Sequence, residues 1–140
     1  MATDSAIPVV AASSKGMIWS GRILSGLVAV FLVMDAVMKI LKLAPVVQSC
    51  DQLGLPVGLM PAVGTILLTC VILYVIPTTS MLGAILLTGY LGGAVLTNLR
   101  VGNPLATHVL FPVYMGIVLW LGLYLRDARL RALVPLRSPR

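Results

Sequence analysis

The stretch TGYLGGAVLTNLRVGNPLATHVLFPVYMGIVLWLGLYLRDARLR, residues 88–131, decides the fold of this chain. It contains two apolar segments, joined by a short polar elbow and followed by a basic end. A mostly apolar segment of about 20 residues is long enough to cross the hydrocarbon core of a bilayer. The stretch therefore predicts two membrane-spanning helices joined by a turn.

The rest of the chain is equally apolar. Of its 140 residues, 59% are hydrophobic and only 10% are charged, whereas a soluble domain has roughly 25% charged residues. A chain this short exposes much of its surface, which so few polar residues could not cover in water. Lipid is therefore the expected solvent of the protein.

Four apolar segments are long enough to span a membrane, which predicts an all-α, polytopic membrane protein. We expect an antiparallel bundle of four transmembrane helices, at residues 17–43, 59–76, 80–99 and 105–125. Pro45 ends the first helix, and a loop of about fifteen residues that caps the bundle or lies on the membrane surface should follow.

The two ends of the chain are polar. Residues 1–16 are predicted to be a flexible cytoplasmic tail, with a signal peptide as the alternative. Residues 126–140 are predicted to be a basic cytoplasmic tail. Seven of the ten Lys and Arg residues fall on the side of the two termini: Lys15, Arg22, Arg126, Arg129, Arg131, Arg137 and Arg140. The positive-inside rule therefore places both termini in the cytoplasm.

The net charge is +6. A nucleic-acid interface requires a solvated basic face, but here the basic residues stand at the ends of apolar segments. Contact with anionic lipid headgroups is the better explanation, so we expect the lipid bilayer as a partner and no nucleic acid.

The best candidate site is a set of polar residues that this topology brings to the outer mouth of the bundle. It comprises Asp35, Lys39, Asn98, Arg100, Thr107 and His108. Polar groups at such a depth are costly unless they pair, so they should form a network or line a pocket. The alternative is that Asp35 and Lys39, four residues apart on one helix face, form only a local ion pair, while Arg100 and His108 mark the headgroup boundary.

Other chemistry receives little support. One histidine and two cysteines do not make a closed zinc or haem site, so no metal is expected, and no nucleophile–base pair defines a catalytic residue. A disulfide between Cys50 and Cys70 is not expected, because Cys70 lies deep inside an apolar segment. Gly89 and Gly93 form a small-xxx-small pair, for which we expect packing within the chain, with homodimerisation as the alternative.

Four segments together resemble the DoxX-like family of small four-helix membrane proteins. They are residues 31–47, 53–64, 86–105 and 108–137. The resemblance implies a protein of the bacterial inner membrane. The family is named for a membrane subunit of a thiosulfate:quinone oxidoreductase, and other members are linked to oxidative-stress complexes. Its pattern often has histidine where this chain has Asn98.

Three functions are compatible with these observations. The first is a membrane subunit or anchor that supports a redox or quinone-linked protein partner. The second is a binding protein or membrane enzyme for a quinone, lipid or isoprenoid-like molecule, with quinone as the only cofactor suggested. The third is a transporter, which would require a homo-oligomer because one chain has only four short helices.

Overall fold

The computed structural model describes residues 13–134, in which six α-helices and no strand are present. The helices are α1 (Lys15–Ile40), α2 (Ala44–Leu53), α3 (Met60–Val75), α4 (Ser80–Arg100), α5 (Phe111–Arg126) and α6 (Ala128–Leu133). A 3₁₀ turn, Val57–Leu59, leads into α3, and a π-helical turn, Leu105–Val109, leads toward α5. The all-α prediction is confirmed.

Four helical segments are long and apolar enough to cross a membrane. They are Lys15–Ile40, Val57–Val75, Ser80–Arg100 and Leu105–Arg126. Each lies close to one of the four predicted spans, so the prediction of a four-helix membrane bundle is confirmed.

The four long helices form a ring in which α1 and α4 each pack against both α3 and α5. Consecutive spans run antiparallel, because the start of α3 lies against the end of α1 and the start of α4 lies against the end of α3. We call the end of the bundle where α1 begins and α5 ends the proximal end, and the opposite end the distal end. Because α1 and α4 each contact both α3 and α5, they stand at diagonally opposite positions in the ring.

Glycines allow the closest helix contacts. A methyl group placed on Gly83 would lie 2.5 Å from the Cα atom of Tyr74, so α4 touches the backbone of α3 there. A methyl group on Gly21 would lie 2.8 Å from the carbonyl oxygen of Gly122, so α1 and α5 are also in backbone contact. Small residues promote helix association in lipid by permitting such approaches.

Gly89 and Gly93 are not among these contact residues. Both are exposed, and a methyl group on either would meet no atom of a neighbouring helix within 4 Å. The expected packing of this pair inside the chain is therefore wrong. The pair lies on the outer surface of α4.

The expected loop after the first span is mostly helical. Leu43 is extended, and Pro45 occupies the first turn of α2, where its missing N–H costs nothing. Gly54 ends the helix in the left-handed conformation, with φ of 63°. Val46 and Cys50, one turn apart, are buried against Met60, so α2 caps the distal end of the bundle.

The chain also differs from prediction around the fourth span. The expected continuous helix is divided by the π-helical turn, and Pro112 lies in the first turn of α5. Beyond α5, where we expected the basic tail to begin, the Asp127 side chain accepts from the Arg129 backbone N–H at 2.8 Å and starts α6. Leu130 of α6 is buried in the main core. The predictions for residues 1–12 and 135–140 lie outside the described residues.

Candidate functional site

Asp35 is the centre of a polar group inside the distal half of the bundle. Its Oδ1 atom forms an ion pair with the Lys39 ammonium group one turn later, as the sequence predicts. The other carboxylate oxygen, Oδ2, accepts a hydrogen bond from the Tyr90 hydroxyl at 3.4 Å, a long one. Because α1 and α4 stand diagonally across the ring, Tyr90 reaches Asp35 through the interior.

The contact between Tyr90 and Asp35 was not predicted from the sequence. A signal was present, since a buried tyrosine hydroxyl usually needs a polar partner. What the sequence could not supply was the relative height and rotation of α1 and α4, which decides that Asp35 is that partner.

The other predicted polar residues form separate local contacts at the distal end. Asn98 donates to the carbonyl of Ala94 at 2.9 Å, and its side-chain oxygen accepts from Asn103 Nδ2 at 2.7 Å. Asn103 therefore lies in the turn that follows α4. These bonds stabilise the turn between the third and fourth spans.

Arg100 and His108 are both exposed. Arg100 donates from Nη2 to the backbone carbonyl of Leu53 at 2.5 Å, which ties the end of α4 to the end of α2. The Thr107 hydroxyl lies 2.8 Å from His108 Nδ1, within the π-helical turn. Both contacts lie at the distal end of the bundle.

The six predicted residues therefore share one end of the bundle. Among the residues that the structure describes, no hydrogen bond or ion pair connects Asp35 and Lys39 with Asn98, Arg100 or His108. Two cavities are described below, an apolar groove and a smaller cavity. None of the six residues lines either of them. A shared polar pocket at the distal end stays a prediction.

The larger cavity is an apolar groove of about 630 Å³ between α4 and α5, which we call the α4–α5 groove. Its sides are lined by Thr88, Leu91, Gly92, Val95, Pro112, Val113, Gly116, Ile117, Trp120, Leu121 and Tyr124, and α6 and the residue after it add Leu130 and Val134. It runs along α5 from Pro112, near the distal start of the helix, to Tyr124, near its proximal end. Several lining side chains are exposed on the lipid-facing surface, including Val113 and Ile117, so the groove opens sideways to lipid.

Two glycines open this groove. A methyl group placed on Gly92 of α4 would have no neighbouring atom within 4 Å, and one placed on Gly116 of α5 would meet only the Leu91 side chain, at 3.7 Å. A side chain at either position would enter the space between the two helices. Glycines near the middle of two consecutive spans were the available signal, but the sequence did not show that both line one groove.

Few polar groups line the groove, and two of them satisfy each other. Trp120 donates from Nε1 to the Thr88 hydroxyl oxygen at 2.8 Å, and the Thr88 hydroxyl donates to the carbonyl of Ala84 at 2.7 Å. An occupant would therefore meet mainly hydrocarbon surface. The Tyr124 side chain lies at the proximal end of the groove.

Metal chemistry gains no support from the described residues. Between residues 13 and 134 there is no group of three or more His, Cys, Asp or Glu side chains that could hold a metal ion. Cys50 and Cys70 are both buried and unpaired in this part of the chain. The lining of the α4–α5 groove is almost entirely apolar.

Four apolar spans around a small core define a multi-span α-helical membrane protein. Within that class, the model of the DoxX-like family matches residues 23–122. The chain belongs to the DoxX-like family. No curated protein and no solved structure matches the sequence.

Proposed function

We propose that this protein binds a lipophilic molecule with a long apolar chain, such as a quinone, a lipid or an isoprenoid, in the α4–α5 groove. The observation that carries the proposal is the groove itself. Its volume of about 630 Å³ falls within the range of roughly 300–1,000 Å³ that is typical of ligand sites.

The position of the groove fits such a ligand. A molecule dissolved in the bilayer could enter sideways between α4 and α5 without crossing water. Its apolar chain would contact Leu91, Val95 and Ile117, while a polar head would lie near Tyr124 at the proximal end. Burial of apolar surface would supply the affinity, because the polar atoms of Thr88 and Trp120 already have partners.

Filling the groove should abolish this binding. We expect Gly92→Leu to weaken binding of decylubiquinone by about tenfold or more, a loss of about 1.4 kcal/mol, because the new side chain occupies the space of the ligand. Binding is measured in nanodiscs by quenching of Trp120 fluorescence, with Trp19 replaced by Phe. Native mass spectrometry of the same nanodiscs detects lipids that copurify.

The matched control is Gly93→Leu, since Gly93 is on the same helix and exposed but does not line the groove. It should bind as the parent protein does. Equal binding and equal lipid retention in the two variants would contradict the proposal.

A second candidate is the role of a membrane subunit that supports a redox partner. The observation that favours it is the exposed Gly89–Gly93 surface of α4, which no helix of the described chain covers. Such a surface allows a helix of another protein, or of a second copy, to approach closely.

Crosslinking in native membranes tests the second candidate. In a variant with Cys50 and Cys70 replaced by Ser, Gly93→Cys should give a crosslinked product when a short bifunctional thiol reagent is added. Val30→Cys, exposed on α1 across the ring from α4, should give none. Products of equal yield from both positions, or from neither, would argue against a specific partner on this surface.

The location of the protein follows from the same reasoning. We place it in the bacterial inner membrane, which the family resemblance implies, with both termini in the cytoplasm. Support for the orientation comes from the described basic residues: five lie at the proximal end and three near the distal end. The proximal five are Lys15, Arg22, Arg126, Arg129 and Arg131, and cytoplasmic flanks are the richer in Lys and Arg.

A further inference from the structure

The second cavity lies at the proximal end of the bundle and is surrounded by arginines. It has a volume of about 270 Å³ and combines residues from the start of α1, the α3–α4 turn and the α5–α6 junction. Its lining consists of Arg22, Pro77, Thr78, Ser80, Leu123, Arg126, Asp127 and Arg129. We call it the arginine cavity.

We propose that the arginine cavity binds a phosphate group at the level of the membrane headgroups. This site is separate from the α4–α5 groove and does not depend on the function proposed for that groove. The phosphate can belong to an anionic phospholipid or be free in solution, since the recognising chemistry is the same.

Arg126 is held in place before any ligand binds. Its guanidinium group lies over the Tyr74 ring, 4.9 Å from the ring centroid, and Nη2 donates to the Tyr74 backbone carbonyl at 2.7 Å. Tyr74 itself is fully buried, and its hydroxyl lies 2.8 Å from the Leu119 carbonyl and 3.0 Å from the Ser25 hydroxyl. A guanidinium fixed in this way loses little side-chain entropy on binding an anion.

The charges around the cavity are not neutralised inside the described chain. The described chain, residues 13–134, contains one ion pair, Asp35–Lys39, which lies at the other end of the bundle. Among the described residues, Arg22, Arg126 and Arg129 therefore have no carboxylate partner within ion-pair distance. The Nε atom of Arg126 is buried and has no hydrogen-bond partner among the described residues.

Asp127 is the acidic residue of the cavity, and its carboxylate contacts two other lining residues. Oδ1 accepts from the Arg129 backbone N–H at 2.8 Å, and Oδ2 lies 3.5 Å from the Ser80 hydroxyl. The three arginines and one aspartate leave a net charge of +2 around the cavity. Thr78, a hydroxyl residue, also lines the cavity.

The helix at the floor of the cavity adds to the same potential. α4 begins at Ser80, which lines the cavity, and its N-terminus has no side-chain cap. The positive end of the helix dipole favours an anion at this position. Basic cavities between membrane helices recognise lipid headgroups by these means.

Single-charge variants test the site. In nanodiscs that contain phosphatidylcholine and phosphatidylglycerol, native mass spectrometry should show phosphatidylglycerol retained in excess by the parent protein. Because each of these arginines would make a charge-assisted hydrogen bond to the phosphate in the cavity, we expect Arg22→Gln and Arg129→Gln each to lower that excess by about tenfold.

Lys15→Gln is the matched control, since it removes one charge at the same end but Lys15 does not line the cavity. It should retain the excess to within about twofold, as expected for a screened surface charge. Equal losses in all three variants would overturn the proposal, because they would show only a general surface potential.

A second arm identifies the source of the phosphate. In nanodiscs of phosphatidylcholine alone, inorganic phosphate is compared with chloride at equal ionic strength, by thermal unfolding. Stabilisation by phosphate that is lost in Arg129→Gln and kept in Lys15→Gln indicates a soluble phosphate, whereas retention of phosphatidylglycerol alone indicates the lipid. The proposal fails if the parent protein shows neither response.

Discussion

Among alanine substitutions of the described glycines, Gly83→Ala is expected to cause the largest loss of stability. The new Cβ atom would lie 2.5 Å from the Cα atom of Tyr74 and still closer to its backbone nitrogen. Backbone atoms cannot turn aside as a flexible side chain can, so α3 and α4 would have to separate. Overpacking costs about 1–3 kcal/mol and occasionally more, and we expect the loss here to reach at least about 3 kcal/mol.

Thermal unfolding in a mild detergent, followed by circular dichroism, measures this loss. The matched control is Gly89→Ala on the same helix, where the methyl group would meet no neighbouring atom within 4 Å. It should unfold at the temperature of the parent protein or slightly above, since alanine favours the helix over glycine. Similar melting of the two variants would contradict the close α3–α4 contact.

Asp35→Asn is expected to have the second largest effect. It would leave the Lys39 ammonium without its carboxylate at a position where the side chain is only 17% exposed, in surroundings that are largely lipid. Breaking a buried pair by removing one partner costs roughly 3–5 kcal/mol. Lys39 lies one residue before the end of α1 and can extend toward the headgroups, so we expect a smaller loss of about 2–3 kcal/mol.

A double-mutant cycle separates the loss of the pair from the cost of an unpaired charge. Removal of both charges in Asp35→Asn/Lys39→Met should restore most of the lost stability, because no buried charge then lacks a partner. Tyr90→Phe, which removes only the long hydrogen bond to Asp35, should cost about 1 kcal/mol. If the double variant is as unstable as the sum of its single variants, the ion pair is not the stabilising contact.

The number and approximate position of the spans could be predicted from the sequence because the length of an apolar segment is a local property. The Asp35–Lys39 pair could be predicted for the same reason, since a separation of four residues sets the contact within one helix. The helix α2 was missed, although Pro45 and Gly54 mark its two ends in the usual way. Its mixed composition favoured the prediction of a loop.

Contacts between helices could not be predicted in the same way. The Gly89–Gly93 pattern indicates that a helix could approach closely, but not which face of α4 is turned inward. The close contacts instead use other glycines, at Gly21, Gly64, Gly83 and Gly122. Likewise, the approach of Tyr90 to Asp35 and the presence of two glycines in the lining of one groove depend on the rotation and height of each helix.

The hydrogen bond from Trp120 to Thr88 bears on selectivity. Because the indole N–H and the threonine hydroxyl already satisfy each other, the middle of the groove offers a ligand little to recognise except width and length. Hydrophobic pockets discriminate weakly, by about 1–3 kcal/mol for each methylene group. The species that occupies the groove would then be set as much by which lipophilic molecules the surrounding bilayer supplies as by the protein.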